Sequence, residues 1–175
     1  LFMDLAIPTI EAGKELIVLS ASQLMGQQAL FDRAAETGAK ILIPSGAILG
    51  LDAIKGAAVG NLVSVVIETR KPVPGLAKAP YVIDNNIDLS NLSEPKLVMG
   101  GAVTDVAKVF PANVNVAVAV SLAGYGTDKT RMEVWADPSL EKNQHTVRVV
   151  SDSSDFTMTI QNRPTEENPA TGKIT

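Results

Sequence analysis

The sequence predicts an α/β portion joined to an α+β portion. Three observations predict it: a strand–helix–strand rhythm over residues 14–44, a break rich in Pro, Gly and Asn in the middle, and three alternating strand-like segments near the end. Composition agrees, because aromatics make up only 4% of the 175 residues and the apolar content of 46% falls mainly to small and branched aliphatics. Such residues suit sheets covered by helices.

The elements follow in order. "ELIVLS" (15–20) is a short apolar run of the kind buried on both faces of a parallel sheet. "SQLMGQQALFDRAAETG" (22–38) has helical spacing, with Leu24, Phe31 and Ala35 on one stripe and Leu30 and Ala34 beside it. Ser22 is placed to cap this helix and Gly38 to end it. "AKILIPS" (39–45) is a second buried strand, and strand, crossover helix and strand imply a right-handed parallel unit. "SGAILGLDAIKGAAVG" (45–60) reads as another helix and "NLVSVVIETRK" (61–71) as a longer strand. "KPVPGLAKAPYVIDNN" (71–86) reads as a loop. "GGAVTDVAKVFP" (100–111) is a short helix closed by Pro111. In "NVNVAVAVSLAG" (113–124) the valines alternate as in a strand, yet the run is apolar on every side as in a buried helix, and periodicity leaves both open. "TRMEVWA", "HTVRVVS" and "FTMTIQN" complete the chain as an antiparallel set, with Phe156, Met158 and Ile160 on one face.

Charge and residue counts exclude several classes of function. The net charge of −4 carries no concentrated basic patch, which argues against nucleic acid as a partner. With no cysteine there is no disulfide, zinc–thiolate site or thiol nucleophile. A single histidine leaves no paired imidazoles for a metal, and none is expected. No apolar run reaches the roughly 20 residues of a membrane span, and no secretory signal is visible. "LFMDLAIPTIEAG" begins inside an amphipathic pattern and "NPATGKIT" stops as a new element begins, so a fragment of a longer chain is expected.

Four places carry candidate chemistry. His145, the one histidine, lies near the start of a strand with Val147 and Val149 on its own face. It is either a half-buried ring bonded to a neighbour or a proton carrier working near neutral pH. Ser45, Gly46 and Ala47 stand where a parallel strand gives way to a helix, the place where open α/β sheets bind ligands, although a tight turn needs the same glycine. Arg70 and Lys71 in "TRKP" either clamp a carboxylate or form a solvated strand end. Asn113 and Asn115 each offer a donor and an acceptor, and one of them is a candidate helix cap. No GxxxxGK[ST] or GxGxxG loop occurs.

In order along the chain, "IPSGAILGLDAI", "TRKP", "GGAVTDVAKVFPANVNVAVAVSLAGYGTDKTRMEVWADP", "NQH" and "NRPTEENPATG" resemble the L-aspartate dehydrogenase family. The resemblance implies a Rossmann domain followed by an α+β domain with a mixed, largely antiparallel sheet covered by helices. Residues 1–44 are then the carboxyl-terminal part of the nucleotide-binding domain, and 45–175 the substrate-binding and dimerisation domain. It further implies NAD(P)-dependent oxidation of L-aspartate to iminoaspartate, which hydrolyses to oxaloacetate and ammonia or feeds NAD biosynthesis, in a cytoplasmic homodimer. His145 maps to the active-site histidine of the family, and Ala47 and Asn115 to contacts of the NAD or NADP cofactor, beside Ser45 and Gly46. Arg70, Lys71 and Asn143 are assigned to the substrate, with Lys129 or Arg131 as further cations for its two carboxylates. The family's glycine-rich loop has no counterpart here, so this piece alone is expected to bind dinucleotide poorly. Where the family usually continues NPKTS, this sequence has Ala170. The resemblance also implies a helix over the valine run. Two alternatives stand beside it: a related oxidoreductase for another small amino or dicarboxylic acid, and a non-catalytic dimerisation or small-molecule-binding module.

Overall fold

A computed structural model describes residues 1–111 and 114–163. Asn113, Ala170 and most of "NRPTEENPATG" lie outside the described residues. Two sheets organise the rest. The first is the parallel pair β1 (Glu15–Ile17) and β2 (Lys40–Leu42), in register from Glu15 opposite Lys40 to Ile17 opposite Leu42. Helix α1 (Phe2–Glu11) and the crossover helix α2 (Gln28–Thr37) pack against it. Ala6, Ile10, Val18, Leu24, Leu30 and Ala34 form the buried cluster between them.

The second sheet has five strands in the order β4-β5-β3-β6-β7. These are β3 (Leu62–Lys71), β4 (Lys96–Ala102), β5 (Arg131–Ala136), β6 (Asn143–Ser151) and β7 (Asp155–Asn162). Only β3 and β5 run parallel; the other three pairings are antiparallel. The sheet is therefore mixed and largely antiparallel, as expected. One face is apolar, with Val65, Ile67, Met132, Val134, Val147 and Val149 all buried. Over it lie α3 (Leu51–Ala57), α6 (Val103–Val109) and α7 (Asn115–Leu122), whose Ile54, Val103, Val106, Val118 and Val120 complete the larger core.

Several expectations are corrected. The helix read over 22–38 is two pieces: a 3-10 turn at Ala21–Leu24 and then α2, with Gly26 between them at φ 74°. Ser22 consequently caps nothing. Gly38 does end α2, in the left-handed conformation at φ 75° that a side chain would strain. Ala35 is exposed and the buried stripe runs through Leu30 and Ala34. The helix read over 45–60 starts only at Leu51, because the backbone turns left-handed at both Gly46 and Gly50. The supposed loop at 71–86 contains two short helices, α4 (Val73–Leu76) and α5 (Pro80–Asp84), each with Pro in its first turn. β4 was hidden by its two glycines, Gly100 and Gly101. Finally, β5 does not pair with β6, because β3 lies between them. Over the valine run the helix wins: Ala117 to Ser121 are five consecutive buried residues, a burial no strand alternation would give.

Candidate functional site

The alternation of β3 decides what its last residues can touch. Val65, Ile67, Thr69 and Lys71 face the helix-covered core, while Glu68 and Arg70 face the opposite side. On β6 the same rule places Asn143 and His145 with Val147 and Val149. Register puts His145 between Thr69 on β3 and Ile160 on β7. Asn143 pairs with Asn162, so two carboxamides end the sheet beside the ring. Lys71, Thr69, Asn143, His145, Ile160 and Asn162 thus form one patch at one end of the covered face.

The ring is fixed from one side. Thr69 Oγ1 lies 3.0 Å from His145 Nδ1, and both groups are buried, at 1% and 8% exposure. Burial, reinforced by the positive charge of Lys71, pushes the imidazole down to about 4, so it is neutral at physiological pH. Lys71 itself is 3% exposed, and burial pushes its ammonium down to about 8. A cation held in so little water interacts strongly with any anion that reaches it.

The loop between β2 and α3 reaches the same end of the sheet. Asn162 Nδ2 donates to the Ala47 carbonyl at 3.2 Å, tying the Ser45–Gly46–Ala47 turn to the end of β7. Ile48, buried in the larger core, anchors the turn, and its N–H donates to Ser45 O at 3.0 Å. Asn115 has a different tie. It opens α7, and its Oδ1 accepts from the Ser22 N–H at 3.0 Å, across 93 positions of sequence.

Three predicted cations leave the patch. Arg70 points to the other face, where its Nε donates to Glu68 at 2.6 Å and its Nη1 to Asp137 at 3.1 Å, with the guanidinium 5.3 Å from the Trp135 ring centre. Arg148 also reaches Glu68, at 3.3 Å. Arg131 is at the far end of β5, paired with Glu133, and Lys129 lies over the Tyr125 ring. The structure therefore keeps Lys71, Asn143, His145 and the Ala47 turn at one end of the sheet and removes Arg70, Arg131 and Lys129. Sequence reasoning missed Thr69 and Asn162. Period two from Lys71 was a signal for the first, and the Asn–Arg–Pro phrase for the second.

Among the described residues no helix is long and apolar enough to cross a membrane. Residues 52–175 match the family model described as aspartate dehydrogenase, C-terminal. Among curated relatives, L-aspartate dehydrogenase 3 of Bordetella bronchiseptica is 49% identical over 96% of this chain and 61% of its own length. The L-aspartate dehydrogenase of Bradyrhizobium diazoefficiens is 46% identical over 96% of the chain and 60% of its own length. The crystal structure of aspartate dehydrogenase from Thermotoga maritima superposes with a TM-score of 0.74 at 27% identity, over 90% of this chain and 62% of that one. The chain spans about three-fifths of the length of the relatives it matches.

Proposed function

The chain belongs to the aspartate dehydrogenase family, and from that premise we propose that it is the substrate-binding part of an enzyme that oxidises L-aspartate with NAD or NADP. Residues 1–44 then form the carboxyl-terminal part of the nucleotide-binding domain and 45–175 the substrate-binding and dimerisation domain of a cytoplasmic homodimer. The observation that carries the reading is that His145 and Lys71 lie buried together at one end of one covered sheet face.

Each side chain has a part that its surroundings favour. Lys71 pairs with a substrate carboxylate, where low water content strengthens the attraction. Asn143 supplies a further donor and acceptor at the edge of the same patch. His145 serves the reacting end, handling a hydrogen at the amine or at attacking water. In the overall change Cα loses a hydride and the amine a proton, leaving a C=N bond; water then adds and ammonia departs, giving oxaloacetate.

The residues present fit one end of the cofactor. The 45–47 turn follows a parallel strand, its residues are small, and Gly46 at φ 53° exposes backbone. Because α3 begins only at Leu51, the turn offers a pyrophosphate no helix N-terminus. Ser45, Gly46, Ala47 and Asn115 would therefore hold the nicotinamide end, Asn115 through the part of its amide that Ser22 does not use. When bound, the nicotinamide supplies the acceptor for the substrate hydride.

The test uses the full-length protein with aspartate and each cofactor, following nicotinamide absorbance. His145→Ala is expected to lower turnover roughly 10²–10⁴-fold. Near-normal turnover in that variant would remove the histidine from the mechanism.

A further inference from the structure

The Thr69–His145 contact is a bond between two buried groups, so its direction can be argued. A hydroxyl carries one proton, and leaving it without an acceptor in a buried place costs roughly 1–3 kcal/mol. Among the described residues, the hydrogen bond of the Thr69 hydroxyl is the one to Nδ1, at 3.0 Å. A neutral imidazole has one N–H and one lone pair. If Nδ1 carried the hydrogen, it would donate to Oγ1 and the threonine proton would be left over. With the proton on Nε2, the buried hydroxyl donates to the Nδ1 lone pair, and the N–H left to find a partner is the one at Nε2, which is not among the buried unpartnered atoms of the described residues.

We propose that Thr69 is the positioning residue of this site: its hydroxyl donates to Nδ1, holds His145 as the Nε2–H form, and so presents Nε2 to the substrate as a hydrogen-bond donor. The ring's far edge then enters the reaction donating to a substrate oxygen or to the departing nitrogen, rather than as a ready-made base. Ile160 supports the same orientation, because it stands across the ring from Thr69 and offers no competing polar atom. The kinetic half of the proposal rests on the reading of His145 as the residue that meets substrate; the tautomer does not.

The experiment labels the histidines of the full-length protein with ¹⁵N and assigns His145 by the signal lost in His145→Gln. The expected spectrum shows a protonated Nε2 and an unprotonated Nδ1. Thr69→Val should redistribute that signal and lower kcat/KM roughly tenfold, the equivalent of one hydrogen bond, and Thr69→Ser should restore both. A wild-type ring protonated at Nδ1 overturns the proposal, as does a Thr69→Val spectrum identical to the wild type. If Thr69→Val does not fold, the wild-type spectrum alone decides. Turnover that survives His145→Gln overturns the catalytic reading whatever the spectrum shows. An Nδ1–H ring in a protein whose His145→Gln variant is inactive overturns the Thr69 proposal alone.

Discussion

Arg70 and Lys71 are neighbours in sequence and opposites in role, because successive residues of a strand face opposite sides. Arg70 satisfies its guanidinium on Glu68 and Asp137, whereas Lys71 carries its charge into the covered face beside His145. This gives the lysine a pH signature. Its ammonium is pushed down to about 8 by burial, so raising the pH through 8 discharges it in the free protein. Succinate is a dicarboxylate without an amine, and its own groups do not titrate in that range. Its affinity for the full-length enzyme, measured as competition with aspartate, should therefore fall roughly tenfold between pH 7 and pH 9. Lys71→Met should bind succinate weakly at both pH values. An affinity indifferent to pH across that window would take Lys71 out of the substrate site.

At the scale of elements, the join between the 43–50 turn and β7 is where packing and backbone geometry meet. Gly50 has φ 76°, and a Cβ there would overlap the Met158 sulfur of β7. Gly38 has nearly the same conformation at φ 75° with open space around it. Gly38→Ala should cost only the left-handed strain, roughly 1–2 kcal/mol, and Gly50→Ala roughly 2–4 kcal/mol because Met158 must also move. Equal losses in urea denaturation would mean that the Met158 contact has no weight. These junctions also show what was legible in sequence. α2, β3, β6 and β7 were readable because their apolar residues recur with the period of the element and Gly38 marks an end. β1 and β2 were readable as strands from their apolar runs, but the burial expected of them is absent, since Ile17 and Leu42 are exposed. β4 and the two helices of 73–84 were not, since adjacent glycines and prolines resemble punctuation when no neighbouring strand is in view. Likewise β3 comes between β5 and β6 through long-range pairing, which local periodicity does not encode. His145 and Lys71 were legible as chemistry, but their sharing a face, and the loss of Arg70 from it, needed the register. Thr69 had no chemistry of its own until Nδ1 lay beside it.

Across the whole molecule, two apolar clusters meet at Ile43 and Leu122, which pack against both. The polar patch interrupts the larger cluster, and burying its two titratable groups opposes their charged forms. The two titrating groups give that conflict a measurable sign. Both have pKa values lowered in the folded protein, so the unfolded chain binds more protons and stability rises with pH across each window. For Lys71 the window is about 8 to its ordinary 10.5, and for His145 about 4 to its ordinary 6.5. The histidine's contribution is therefore complete above pH 6.5 and is lost progressively as the pH falls toward 4. Its full size is about 3 kcal/mol, from the width of the window. Asp137 and Glu133 act with the same sign but lower on the scale: burial opposes their ionisation, yet bonds from Ser139 and Arg70 to the first, and from Arg131 and Trp135 to the second, hold both below the ordinary carboxylate range. Comparing wild type with His145→Gln cancels these carboxylates and leaves the imidazole. In urea titrations of the full-length protein from pH 4 to pH 7, the wild type should lose more stability on acidification than His145→Gln, with the difference growing only below pH 6.5. Parallel stability curves over that range would mean that the folded protein accommodates an imidazolium, and the buried, neutral ring on which the donor role depends would not exist.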